Sequence, residues 1–466
     1  MALPSTSTQP ATTTSSILHR SLHTDPHSVI TAKDNYLTLS NGQRILDATG
    51  GAAVTCLGHG NTRVRDAVMK QMDEGVAYCH SLFFATAAAE ELASELIEET
   101  GGVMERVFVV SSGSEAVEAA LKLARQYFLE IRPAQPQRTK FISRLQSYHG
   151  TTLGALGAGG HLARREAFEP LLIRTTGRVS PCNAYRDMRD GESTDEYVAR
   201  LAKELDDEFV RLGPETVCAF IAEPVVGAAL GCVPPIPGYF PAMKAVCEKH
   251  GALLILDEVM SGMGRTGYLH AWQNPLVGVT PDVQTIGKAL GSGYMPIAAM
   301  LVNRRVVATM RAGSGAFMHG QTYQGHPVAC AAALEVSKII KEDKLVQNCA
   351  EMGELLGQLL KEKVLGLEGV GDVRGAGLFW GIEFVKNKQT KEPFDPSEGI
   401  AMGVHQLAIQ PPFNISIYPG TGTVDGKRGD HVLIAPAYNV TPGFVVLIVN
   451  TVAQVISKFF EMKKGQ

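Results

Sequence analysis

Two residues in this chain sit where a folded protein seldom tolerates them unless chemistry uses them. Asp257 ends the apolar run Leu253-Leu254-Ile255-Leu256. An acid there is costly to desolvate without a cationic partner. A protonated pyridine nitrogen is one such partner, and the pairing turns a ring into an electron sink. A structural ion pair, with Arg265 as the cation, is the plainer alternative. Lys288 follows the strand-like run at 282–286 and lies in Gly287-Lys288-Ala289-Leu290-Gly291-Ser292-Gly293. Most lysines are solvated. One set between a buried strand and a glycine-rich turn is a candidate for a depressed pKa and Schiff-base chemistry.

Two further windows carry polar residues after strand-like runs. Ser111-Ser112-Gly113-Ser114-Glu115 follows the run at 106–110 and opens a helix. Free N–H groups, the positive end of the helix macrodipole and two hydroxyls make an anion site. An ordinary Ser cap with Glu115 in the first turn fits the same residues. Ser147-Tyr148-His149-Gly150 follows a short strand at 141–142, and its tyrosine could stack on a planar ring or simply pack the loop.

The elements that must position these windows alternate along the middle of the chain. Short strands are expected at 106–110, 141–142, 217–222, 252–256, 282–286 and 297–302, with helices over 115–128 and 239–250. Short buried strands between helices argue for an α/β fold, a parallel or mixed sheet covered on both faces, with ligands at the strand ends. After about residue 310 the pattern becomes two helices (328–341, 345–364), strands at 369–374, 379–385 and 431–435, and a last helix over 442–463. That is a smaller α+β unit. Residues 29–46, with Asn41-Gly42 as a hairpin turn, suggest a small N-terminal β unit.

Composition narrows the function classes. Of 466 residues, 45% are hydrophobic and the formal net charge is −4, which argues for a large core and against a nucleic-acid footprint. No uninterrupted apolar run reaches the roughly 18–20 residues that span a bilayer. The eight cysteines form no CxxC pair and several lie in apolar runs, so a reducing, cytoplasmic setting is expected. No HExxH spacing supports a metal. The Ser- and Thr-rich N-terminus reads as a flexible tail over 1–28, with a weak transit peptide as the alternative.

The four windows, in this order, resemble the class III family of pyridoxal-phosphate aminotransferases. Leu57-Gly58-His59-Gly60, Ala222-Glu223-Pro224, Gly320-Gln321-Thr322-Tyr323-Gln324-Gly325-His326-Pro327 and Arg374-Gly375-Ala376-Gly377-Leu378 match the same family, so the resemblance covers roughly 30–460. It implies the fold-type I architecture, with a mostly parallel sheet in a large domain (61–310), a small C-terminal domain (311–466), and a segment at 29–60 shared by the small domain and the active site. Pyridoxal 5′-phosphate is the implied cofactor. Lys288 would hold its aldehyde as a Schiff base and then carry a proton between substrate Cα and the cofactor. Asp257 would keep the ring nitrogen protonated, with Tyr148 stacked on one ring face and Val259 pressed on the other. Gly113 and Ser114 would bind the phosphate, and Ser112, His149 and Glu223 would complete the cofactor's surroundings. Thr322 would reach that phosphate from the neighbouring subunit of a homodimer.

The chain also departs from the family pattern. Many members carry Gln two residues after the Glu-Pro pair, where it bonds the ring hydroxyl; here the position is Val226. Amine-selective members often place Trp in the pocket wall near the N-terminus, whereas Asp47-Ala48-Thr49-Gly50-Gly51-Ala52-Ala53 has only small side chains. Ala53 would then border a roomier pocket and Phe83 would be its apolar wall. A substrate carboxylate needs a cation, best a bidentate arginine; Arg428, in a glycine-rich loop, is the favoured candidate and Arg374 the other. The implied reaction moves an amino group from an amine or ω-amino acid to a 2-oxo acid. A racemase, an aminomutase or a decarboxylase on the same cofactor is the alternative, since fold does not set reaction type. A non-catalytic scaffold would be expected to have lost Lys288 or Asp257.

Overall fold

The computed structural model describes residues 15–465, so the N-terminal tail and its transit-peptide alternative lie outside the described residues up to position 14. The first strands are β1 (Val29–Lys33), β2 (Tyr36–Leu39) and β3 (Arg44–Asp47). The hairpin expected at Asn41-Gly42 joins β2 to β3. Gly42 takes a φ of 85°, which glycine enters without strain, and the Leu39 N–H donates to the Gln43 carbonyl.

Seven strands form the central sheet: β4 (Met104–Val110), β5 (Lys140–Arg144), β6 (Thr176–Val179), β7 (Val217–Ala222), β8 (Leu253–Asp257), β9 (Val283–Ile286) and β10 (Ala298–Asn303). Their order is β4-β10-β9-β8-β7-β5-β6. The five from β9 to β6 are parallel, and β10 runs against both of its neighbours. β4 therefore points the same way as the parallel five. As a result the C-terminal ends of β4, β5, β7, β8 and β9 all open on one edge of the sheet, where each of the four polar windows begins.

β7 and β8 are buried at every position, which is why they read as apolar runs and not as an alternation. The strand period of two still sorts their side chains. Leu254 and Leu256 pack with Leu205, Phe209 and Phe240 on one face. Leu253 and Ile255 pack with Val117, Ala120 and Leu123 on the other. Each such burial stabilises by about 1.5–3 kcal/mol relative to exposure, so the sheet that carries the site is held firmly from both sides.

The C-terminal part contributes β11 (Val370–Ala376), β12 (Phe379–Phe384), β13 (Ile415–Ser416), β14 (Tyr418–Thr421) and β15 (Asp430–Ile434). Four of them make an antiparallel sheet, β11-β12-β15-β14, while β13 pairs in parallel with β3. The N-terminal strands thus join the C-terminal part. The Ala435 N–H donates to the Ala48 carbonyl, and the Tyr438 N–H to that of Cys56. The change of texture near residue 310 is not a break in packing. The helix Pro327–Glu342 packs on helices Thr62–Asp73 and Ala87–Glu99 as well as on Leu345–Lys363.

By length and apolar content Pro442–Lys464 is the one described helix that could cross a bilayer. Its Val445, Ile448, Val449, Val452, Val455, Ile456 and Phe460 are buried, at the spacing of a single core-facing stripe. The stripe packs on the helix Leu345–Lys363.

Candidate active site

A cavity of about 350 Å3 opens at the shared strand edge, within the size range of small-molecule sites. Its lining includes Ser112, Gly113, Ser114, Tyr148, His149, Glu223, Asp257, Val259 and Lys288. Five loops, each following a different strand, thus converge on one space.

The helix Gly113–Glu130 starts directly after β4. Ser112 caps it, its hydroxyl accepting from the Glu115 N–H at 3.3 Å, while the Glu115 carboxylate accepts from the Ser111 N–H at 2.9 Å. Both readings of this window therefore hold together: the Ser cap exists, and the helix start it builds faces the cavity. A Cβ on Gly113 would lie 2.7 Å from Val259 Cγ1, so only glycine lets the backbone come this near the β8 loop. Gly150, at a φ of +138°, is equally confined, since a Cβ there would meet Ser114 Oγ at 2.6 Å. The Ser114 hydroxyl accepts from the Thr151 N–H at 3.0 Å, tying the β4 and β5 loops into one cradle.

Asp257 is 4% exposed and does not pair with Arg265. One carboxylate oxygen accepts from His149 Nδ1 at 2.7 Å. The other accepts from the Thr285 hydroxyl and the Val259 N–H, each at 3.1 Å. Because Nδ1 faces a carboxylate, it is the nitrogen that carries the proton. His149 Nε2 is buried and has no hydrogen-bond partner among the described residues. Arg265 instead donates to the carbonyls of Leu378 and Pro436 and lies over the Tyr438 ring, so it links segments of the fold.

Glu223 fixes the stacking residue by its backbone. Its carboxylate accepts from the Tyr148 N–H at 2.8 Å and from the Gly227 N–H at 3.2 Å, and burial pushes its pKa up. Val226 packs with Ala229, Leu230, Val233 and Tyr148, and its apolar side chain offers a ring hydroxyl no hydrogen bond.

Lys288 stands two residues beyond the end of β9 with a φ of +45°, a left-handed conformation costing a non-glycine residue about 1–3 kcal/mol. Strain of that kind is found where the surroundings must aim a side chain. Burial is the largest influence on its ammonium and lowers its pKa; Asp257 and Glu223 oppose that, and Arg164 adds to it. The effect is to enrich the neutral, nucleophilic amine.

Other expected site residues stand elsewhere. Ala53 is buried against Val225, Cys232 and Phe379, and its neighbour Val54 lines the cavity in its place. Phe83 is 74% exposed and borders a separate surface cleft with Phe84, Gln324 and Gly325. Thr322 is exposed in the adjoining segment and does not line the cavity of its own chain. Arg428 is tied to Asp425 at 2.7 Å on a surface loop. Arg374 is spent on Asp372, Glu383 and the carbonyls of Leu230 and Gly231. Thr285 received no role in the sequence reading. No signal in the sequence marks it, because its place beside Asp257 comes from the register of two adjacent parallel strands.

The donor set fits pyridoxal phosphate. A glycine-lined helix start suits its phosphate, the Asp257 carboxylate, oriented by three hydrogen bonds with acceptor capacity left, suits a ring N–H, and Val259 and Tyr148 offer faces for the ring. The sequence profile described as "Aminotransferase class-III" matches residues 19–416. An aminotransferase of Gibberella zeae is 53% identical, over 94% of this chain and 85% of its own length. An uncharacterized aminotransferase of Schizosaccharomyces pombe is 47% identical, over 97% and 98%. An amine transaminase from an uncultivated Pseudomonas species, solved in its PLP-bound form, superposes with a TM-score of 0.87 at 32% identity, over 98% of this chain and 99% of its own. The chain belongs to the class III aminotransferases, enzymes of fold type I that work with pyridoxal phosphate.

Proposed function

We propose that this enzyme transfers an amino group from an amine or ω-amino acid to a 2-oxo acid, with Lys288 as the residue that carries the cofactor. The observation that carries this reading is Lys288 itself: a half-buried lysine on strained left-handed backbone, lining the cavity that Asp257 and the helix start also face. The amine-transaminase neighbour supports the choice of donor class.

When bound, pyridoxal phosphate supplies an aldehyde carbon to which amines attach and a conjugated ring that spreads the charge left when Cα loses its proton. The chain's own groups do the rest. Burial keeps Lys288 Nζ unprotonated at higher acidity than a solvated lysine, so it can take a proton from the substrate Cα and return one. Asp257, held by His149, Thr285 and the Val259 N–H, presents a carboxylate that favours a protonated ring nitrogen. The Glu223 bond to the Tyr148 N–H fixes the loop that carries the tyrosine, and Tyr148 and Val259 would offer the apolar faces against which the cofactor ring is held and oriented. The N–H groups at the start of Gly113–Glu130 hold an anion away from the reacting centre, so binding energy is drawn from a remote group.

A homodimer is part of the proposal, with Thr322 contributed across the interface; the exposure of Thr322 and Tyr323, next in sequence to Gln324 and Gly325 that line a cleft with the exposed Phe83, supports it. A cytoplasmic setting is supported by eight free cysteines, seven of them buried. The test is the visible spectrum of the purified holoenzyme with a panel of amines and amino acids, followed by pyruvate or 2-oxoglutarate. A donor-induced loss of the visible band that the 2-oxo acid reverses, with an aminated acid formed, is the expected result. Release of carbon dioxide, or racemised substrate without an aminated acceptor, would place the enzyme in the alternative reaction class.

A further inference from the structure

A 2-oxo acid needs its carboxylate recognised, and the cations around the cavity are mostly spent. Arg374 is ion-paired and bonded to two carbonyls, Arg265 is bonded to two carbonyls, and Arg144 is 2% exposed and bonded to the Glu223 carbonyl. Arg428 is paired with Asp425 on its own loop.

Arg164 differs from all of these. It is half-buried, its guanidinium lies over the Tyr148 ring at 4.5 Å from the centroid, and among the described residues that guanidinium forms no hydrogen bond or ion pair. Tyr148 lines the cavity, so stacking on it puts the cation beside a cavity wall, although Arg164 is not itself a lining residue. Its charge is also felt by Lys288, whose proton affinity it lowers. Stacking occupies the flat face of a guanidinium and leaves its edge free, and the edge is what a carboxylate engages with two parallel N–H bonds.

The backbone that carries Arg164 is pinned. The Ala163 N–H donates to the Gly426 carbonyl at 3.1 Å, His161 Nε2 bonds the Thr421 carbonyl at 3.0 Å, and Arg165 bonds Glu169 at 2.9 Å. The guanidinium is therefore presented from a fixed base, where Arg428 sits on an exposed turn.

We propose that Arg164, stacked on the cavity-lining Tyr148, is the cation that binds the carboxylate of the 2-oxo acid and of the amino acid made from it. This rests on the transamination reading above and names the residue that reads one substrate class.

The experiment compares wild-type holoenzyme with Arg164→Gln, Arg164→Lys and Arg428→Gln, using pyruvate as acceptor, a carboxylate-free amine as donor, and propionate as an unreactive carboxylate competitor. Losing a charge-assisted bidentate contact should lower the ratio of kcat/KM for pyruvate to that for the amine by about 10- to 100-fold in Arg164→Gln. Propionate inhibition should weaken by a similar factor, and Arg164→Lys should recover part of both. Among the described residues the Arg164 side chain forms no hydrogen bond or ion pair, only the exposed-edge stack on Tyr148, so the thermal transition of Arg164→Gln should stay close to that of the wild type. Two outcomes overturn the assignment: a ratio and a propionate constant within twofold of wild type in Arg164→Gln, or a larger loss in Arg428→Gln. If no acceptor is aminated at all, the transamination reading fails, and propionate binding still decides the role of Arg164.

Discussion

Gly113→Ala is the sharpest test of how the cofactor cradle is built. The new methyl group would stand 2.7 Å from Val259 Cγ1 and 3.0 Å from Cγ2, against about 3.4 Å for ordinary contact, so Val259 must give by roughly 0.7 Å. Without cofactor, Val259 can turn into the cavity it lines and the strain is small. With a ring seated against Val259, that space is filled. The overpacking then costs about 1–3 kcal/mol, which is about 5- to 150-fold in cofactor affinity. Val259→Ala removes both clashing methyls and leaves only Val259 Cβ, at a tolerable 3.4 Å. The double variant Gly113→Ala/Val259→Ala should therefore bind pyridoxal phosphate as Val259→Ala does. The assay is titration of cofactor-free protein, followed by absorbance, across all four members of the cycle. Wild-type affinity in Gly113→Ala, or a double variant as weak as the product of the two singles, would refute the packing argument.

Lys288→Met should raise the thermal transition of cofactor-free protein at neutral pH. Burial lowers the folded-state pKa of Lys288, so the unfolded chain binds the proton more tightly and stability is lost below the ordinary value of 10.5. The gain should shrink as pH rises toward that value; a Lys288→Met protein no more stable than wild type at neutral pH would contradict the reading. Arg374→Met should cost about 3–5 kcal/mol in denaturant unfolding, because it leaves the buried carboxylate of Glu383 with less compensation. Glu383 has a lowered pKa in the fold, so its stabilisation is present above the ordinary carboxylate value of 4.5 and is lost as pH falls through the folded value. Stability unaffected but a raised KM for pyruvate would instead make Arg374 a substrate ligand.

What the sequence determined by itself was local chemistry and its order along the chain. Asp257 and Lys288 were legible because a charge beside a buried strand is costly, and the apolar runs of β7 and β8 show that burial without any partner in view. Gly113 was legible because it begins a helix directly after a strand. What only the tertiary structure decided was which residues far apart in the chain meet. His149 as the partner of Asp257, where Arg265 had been the alternative, follows from β5 and β8 ending on the same sheet edge, 108 residues apart. Ala53 lies behind the wall that Val54 lines because its φ of +61° turns its methyl into the core against Phe379 and Leu433. Phe83 and Thr322 face outward in a single chain, and a sequence carries no mark of whether a surface is covered by a second copy. Arg164 gave no local signal at all. Its neighbours in sequence are ordinary helix residues, and only the fold lays its guanidinium on Tyr148 with its donors unspent. Short-range patterning is written in residue type and spacing, whereas such contacts depend on the whole chain closing around them.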